Sequence, residues 1–189
     1  MVKNGEISKF GDPLLPPWEW GVRQGGTYNK DVLIKNVKDF ARIMNGECIE
    51  FCLIFGTLLG AIRNKDVIDG DSDFDVFCFS KDYLKWPKAV EKLERNNFYI
   101  PKVKPLHDDY IIRGGEKIDI NWVIPFGKFY VYNDDIYYPR EYFDNLDTIN
   151  LWDIQLKIPS NATQLLQDLY GQNWMIPSSA KGRVNIYQK

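Results

Sequence analysis

The stretch Asp69-Gly70-Asp71-Ser72-Asp73-Phe74-Asp75-Val76-Phe77-Cys78-Phe79 sets the reading of the whole chain. Four carboxylates fall between Asp69 and Asp75, and the run then turns apolar and aromatic. Alternate residues of a strand share a face, so a strand from Phe74 turns Phe74 and Val76 into a core. The same alternation sends Asp73 and Asp75 together to the other side. Two carboxylates held that close repel each other, and a hard divalent cation with oxygen ligands relieves the conflict. Asp119, between Ile118 and Ile120, lies on a later predicted strand. If the two strands are neighbours, three acids converge, a set able to hold two metals around a phosphoryl centre. A solvated acidic turn and a calcium loop are the plainer readings. The EF-hand form of the latter fails, because its closing Glu and its flanking helices are missing.

The surrounding pattern extends outward from this strand. Upstream, Leu33, Val37, Phe40 and Met44 recur at helical spacing, and Asn45-Gly46 ends that helix. Cys48 to Phe55 reads as a buried strand. Gly56-Thr57-Leu58-Leu59-Gly60-Ala61-Ile62-Arg63 reads as a turn into a short helix. Glycines at such a turn let backbone N–H groups approach a phosphate, Thr57 adds a hydroxyl, and Arg63 offers a guanidinium fork suited to phosphate oxygens. Downstream, Lys81 to Asn96 reads as a helix with Tyr83, Trp86, Val90 and Leu93 on one side. Tyr110–Arg113, Gly114-Gly115 and Lys117–Val123 read as a hairpin, residues 126–138 as a smaller one, and Ala162–Tyr170 as a last helix ended by Gly171. Helices and strands in this order indicate an α/β or α+β domain. Residues 1–29, with Pro13, Pro16, Pro17 and Gly25-Gly26, read as an extended N-terminal arm laid down by Trp18 and Trp20, and residues 30–189 as the domain proper.

Composition narrows the function classes. The 189 residues are 44% hydrophobic and 26% charged, ordinary for a globular domain, which excludes collagen, coiled coil and wholesale disorder. With 24 Lys and Arg against 26 Asp and Glu, the chain carries no basic field for non-specific nucleic-acid binding. No apolar run approaches the roughly 20 residues of a membrane span, and the first residues lack a signal sequence. Cys48, Cys52 and Cys78 are an odd set read as reduced core thiols, consistent with a cytoplasmic location. The sequon Asn161-Ala162-Thr163 is read as a helix start. Trp174 and Pro177 are read as locking the last turn.

Phe55-Gly56-Thr57-Leu58-Leu59-Gly60-Ala61-Ile62-Arg63, followed by Asp71-Ser72-Asp73-Phe74-Asp75-Val76, resembles the LicD/fukutin-related phosphotransferases of the nucleotidyltransferase-fold superfamily. The tail Leu169-Tyr170-Gly171-Gln172-Asn173-Trp174-Met175-Ile176-Pro177 is similar to that family's closing segment. The resemblance implies an α+β nucleotidyltransferase-like fold, a mixed sheet flanked by helices. It implies metal-dependent transfer of a phosphocholine- or phospho-alditol-type group from a CDP-activated donor, such as CDP-choline or CDP-ribitol, to a hydroxyl of a glycan or glycolipid, releasing CMP. Cell-surface polysaccharide modification is the setting it suggests. Mapped onto this chain, the metal ligands, Mg²⁺ or Mn²⁺, are Asp73 and Asp75. Asp119 is the matching third acid, as ligand or as general base. Gly56, Thr57, Gly60 and Arg63 would hold the donor's diphosphate, and Asp71 would support them. Ser72 stands in place of the family's middle acid, and Asp69-Gly70 in place of its Pro-Trp, differences that bear on donor and acceptor more than on metal.

Two other activities fit the same residues. One is a conventional nucleotidyltransferase moving NMP from an NTP to a small molecule, protein or RNA. The other is a binding module that has kept the fold without turnover, against which the intact acids and Arg63 argue. The remaining residues divide between packing and ligand contact. Trp122 suits either the core or stacking on cytosine. Tyr130, Tyr132, Tyr137 and Tyr138 suit either a sugar-binding wall or a packed hairpin face. His107, the only histidine, suits a solvated loop or a donor contact beside Asp108. Lys181 and Arg183 suit an anionic acceptor or plain surface.

Overall fold

The computed structural model describes residues 29–71, 73–101 and 109–177. Residues 1–28 of the N-terminal arm, His107, Lys181 and Arg183 lie outside them.

Helix α1 (Lys30–Gly46) starts where the Asn29 side chain accepts the Val32 N–H, and it buries the expected stripe of Leu33, Val37, Phe40 and Met44. Strand β1 is shorter than the apolar run suggests, only Phe51–Leu53. Its limits have a backbone cause: Cys48 has φ 53° and Phe55 has φ 52°, both outside the extended region. The positive φ at Phe55 swings the chain straight from β1 into helix α2 (Phe55–Arg63). Strand β2 (Phe74–Phe79) follows as expected. The long helix anticipated after it is two pieces, a 3₁₀ turn (Ser80–Lys85) and helix α3 (Trp86–Arg95). Pro87 sits in the first turn of α3, where its missing N–H costs nothing.

Strands β3 (Asp109–Arg113) and β4 (Glu116–Phe126) form the expected hairpin. Strands β5 (Phe129–Tyr132) and β6 (Ile136–Pro139) form the second. A third hairpin, β7 (Leu146–Leu151) and β8 (Ile154–Pro159), is not foreshadowed by the sequence pattern. Its turn residues Trp152 and Asp153 have φ 53° and 60°, a left-handed pair that Asn-Gly or Asp-Gly normally fills. Helix α4 (Ala162–Tyr170) ends at Gly171, and its N-cap Asn161 makes no capping hydrogen bond through its side chain.

The main sheet runs β1-β2-β4-β5-β6, with β3 paired to β4. Among the described residues only β2 and β4 pair in parallel, and Asp75 is paired with Asp119 at the Cα level. With antiparallel partners elsewhere, the sheet is mixed, and helices flank it: the fold is α+β, as the element order and the resemblance imply. All six residues of β2 are buried, so this strand is covered on both faces. Around Phe77 the rings of Phe55, Tyr132, Tyr138 and Phe143 lie at centroid distances of 5.2–5.7 Å. Tyr130, Tyr132 and Tyr138 are thereby buried packing residues, whereas Tyr137 stays half-exposed beside Phe126 and Phe129. Cys52 and Cys78 are core thiols whose pKa burial pushes up, but Cys48 is exposed, a correction to the reading of all three as buried. No helix among the described residues is long and apolar enough to cross a membrane.

Phe77→Ala should therefore cost about 3–5 kcal/mol, the range for emptying an aromatic site in a core. Urea unfolding followed by tryptophan fluorescence would measure it, and a cost under about 1 kcal/mol would contradict this packing.

Candidate active site

Asp75 in β2 and Asp73 just before it lie at one end of the sheet, and the parallel register with β4 sets Asp119 beside Asp75. One carboxylate oxygen from each of Asp73, Asp75 and Asp119 lies within 4.8 Å of the other two. The three predicted acids thus converge. At that separation a pair of full charges repels by roughly 3.5 kcal/mol at an effective dielectric of 20. Asp75 is only 8% exposed, so water screens little of this. A set of hard oxygen donors this close could hold a metal ion.

Backbone contacts from α2 fix the position of Asp75. Its N–H donates to Thr57 Oγ1 at 2.8 Å, and its carbonyl accepts the Ile54 N–H at 3.3 Å. Thr57 is buried, and this acceptor role is the one its hydroxyl plays here. The two glycines of α2 serve close approach. A Cβ on Gly56 would stand 2.3 Å from Asp71 Oδ2, and one on Gly60 would stand 2.5 Å from the Asp66 carbonyl oxygen. The acidic loop can lie against the helix only because neither position carries a side chain. Asp66 is itself anchored, accepting from Trp152 Nε1 at 2.9 Å and from its neighbour's Val67 N–H at 3.0 Å, with Lys30 as its ion-pair partner.

The cleft over the acids has a volume of about 410 Å³ and is lined by Phe55, Asp73, Asp75, Asp109, Tyr110, Lys117, Asp119, Asn121 and Tyr132. Gly56, Thr57, Gly60 and Arg63 are not among the lining residues. Phe55, at the head of α2, is. Arg63 donates to Asn64 Oδ1 at 2.9 Å and to the Trp174 carbonyl at 3.4 Å, so it ties the closing segment to α2, and Trp174 is buried as expected. Trp122 is a core residue: it packs edge-on against Tyr83 and Trp86 and donates Nε1–H to Asp109 Oδ2 at 3.0 Å.

Lys117 is the residue that the sequence reading passed over. Its ammonium lies 2.7 Å from Asp119 Oδ2 and 3.3 Å from Asp73 Oδ2. The signal was present, since Lys117 and Asp119 are two apart on one strand and share a face. Burial pushes the Asp119 carboxyl up to about 6, with the Asp73 charge adding to the rise and Lys117 opposing it. Asn121 and Tyr132 close the floor, with Tyr132 Oη donating to Asn121 Oδ1 at 2.9 Å.

Comparisons with known proteins bear on the family and on the fold. The LicD/FKTN/FKRP nucleotidyltransferase domain matches residues 48–161, more than half of the chain. No curated protein matches the sequence at a significant level. Among solved structures, the antibiotic-resistance factor ANT(2'')-Ia is similar with a TM-score of 0.52 at 11% identity, over 78% of this chain and 76% of that one. A complex of ANT(2'')-Ia with adenylyl-2''-tobramycin gives 0.51 at 10% identity, over 77% and 78%. The lincomycin-bound lincosamide antibiotic adenylyltransferase LnuA gives 0.52 at 14% identity, over 75% and 85%. These likenesses are of fold.

Two measurements test the site's construction. Thr57→Val leaves the Asp75 N–H without its acceptor and should cost about 1–3 kcal/mol, read by urea unfolding. An acid whose pKa is raised on folding lends stability that is complete below its ordinary value of 3.8 and lost as pH rises through about 6. Asp119→Asn should therefore flatten the dependence of stability on pH across that window, and unchanged pH curves would contradict the burial of Asp119. With its acids gathered over β2 and β4, the chain belongs to the LicD/FKTN/FKRP nucleotidyltransferase-domain family.

Proposed function

We propose that the protein is a metal-dependent phosphotransferase of the LicD type. In this reading it moves a phosphocholine- or phospho-alditol-type group from a CDP-activated donor to a glycan or glycolipid hydroxyl in the cytoplasm and releases CMP. The convergence of Asp73, Asp75 and Asp119 within 4.8 Å is the observation that carries the proposal, and family membership supports a transferase of nucleotidyl or phosphoryl groups.

Asp73 and Asp75 would hold the Mg²⁺ or Mn²⁺, with Asp119 as the third ligand. When bound there, the ion would supply positive charge beside the phosphoryl oxygens of an in-line transfer. The chain's own contribution is position. Thr57 and Ile54 fix Asp75, the β2–β4 register fixes Asp119 against it, and Phe55 and Tyr132 wall the cleft. Asp119, whose carboxyl burial raises, would be the group to take the acceptor hydroxyl's proton if it is not committed as a ligand. Gly56 and Gly60 would serve the site by letting the acidic loop close on α2, and Thr57 by holding the Asp75 N–H, since none of the three lines the cleft. Arg63 would reach the donor's diphosphate only by releasing the Trp174 carbonyl.

The second reading, NMP transfer from an NTP, uses the same acids, and the fold likeness to adenylyltransferases favours keeping it in view. Product analysis separates the two: CMP from CDP-choline, CDP-ribitol or CDP-glycerol in the first, pyrophosphate from CTP or ATP in the second. Asp73→Ala should drop turnover to background while circular dichroism shows a folded protein. Turnover near the unsubstituted rate would refute the assignment.

A further inference from the structure

Lys117 has a place that neither the family resemblance nor the proposed reaction uses. It reaches the cleft from the same face of β4 as Asp119, and its ammonium bridges Asp119 Oδ2 at 2.7 Å and Asp73 Oδ2 at 3.3 Å. Its side chain is 25% exposed, so the charge sits largely inside the protein beside these acids. Tyr110, on the neighbouring strand, lies 5.9 Å away at its ring centroid.

The charges make the consequence direct. Three carboxylates this close need a cation among them, and Lys117 supplies one from within the chain. A divalent ion that draws on Asp73 and Asp119 meets the ammonium at the same two carboxylates. Two cations held by one pair of carboxylates repel each other, which loosens the ion pairs as the metal arrives. The four-carbon stem of lysine is flexible, which lets the ammonium turn away from the acids while its backbone stays paired with Ile112 in the β3–β4 ladder. In the cleft, the group best able to receive it is a donor phosphate.

We infer that Lys117 is a positioning residue, an internal counter-cation that holds Asp73 and Asp119 together, competes with the divalent ion for them, and moves to the donor's phosphate when the ion binds. The inference rests on the metal reading of the acid cluster. It makes metal and donor mutually reinforcing: a donor phosphate that draws the ammonium away frees the acids, and a bound metal frees the ammonium. Such coupling is reciprocal by thermodynamic necessity.

Titration of Mn²⁺, with free ion followed by electron paramagnetic resonance, tests it in the unsubstituted protein and in Lys117→Met, Lys117→Gln, Lys117→Arg and Asp73→Asn. Charge-assisted contacts of this kind set an expected tightening of about tenfold in Mn²⁺ affinity for the Met and Gln variants. Lys117→Arg, which keeps the charge, should bind Mn²⁺ about as the unsubstituted protein does. The Met and Gln variants should also show a raised KM for the donor despite tighter metal. A packing role alone would not tighten metal binding. If the unsubstituted protein binds Mn²⁺ in an Asp73-dependent way and neither neutral variant binds tighter, the role of Lys117 is overturned and the metal reading stands. If no variant binds Mn²⁺, or binding is indifferent to Asp73→Asn, both fall together.

Discussion

The parallel pairing of β2 with β4, in the register that sets Asp75 against Asp119, is the constraint on which the rest depends. Neighbouring strands lie about 4.8 Å apart, so a register match between two acids fixes their separation through the backbone. Side-chain rotamers then need only a small adjustment. Shifting the register by one residue would send one acid to the opposite face and disperse the cluster. The apolar residues on either side, Phe74 with Val76 and Ile118 with Ile120, are all fully buried, and their burial is what forbids that slip.

Gathering like charges opposes stability, and the surrounding structure is arranged to bear it. Helix α2 begins immediately after β1, at a residue with positive φ, and at once provides Thr57 to hold the Asp75 N–H. The glycines at 56 and 60 let the acidic loop close on the helix. Lys117 then offsets part of the repulsion from within the sheet. The segment carrying the family resemblance is thus largely a scaffold for the acids: Thr57 and the glycines act on Asp75 and its loop, and Arg63 acts on the closing segment at Trp174.

This division explains what sequence reading captures. The spaced acids were legible as a converging set, and β2, the β3–β4 hairpin and α4 appear at or near the predicted residues. The β7–β8 hairpin was not legible, because Trp152 and Asp153 occupy turn positions that usually advertise themselves with glycine. The short β1 was not legible either, because a positive φ at Cys48 and Phe55 leaves no mark in hydropathy. Lys117 was legible in principle from its spacing to Asp119, but a single lysine on a strand gains meaning only when its partners are known.

The sequence alone determined that Asp73 and Asp75 share a strand face and that Asp119 lies on another strand, since period-two alternation is local and survives any topology. Only the tertiary structure decided that those strands are adjacent, parallel and in register, because pairing between residues 44 positions apart depends on which apolar faces find each other in the core. It also decided that Trp122 and three of the four tyrosines of the second hairpin are buried packing rather than exposed surface. An aromatic ring suits both settings equally well, and what surrounds it settles the matter.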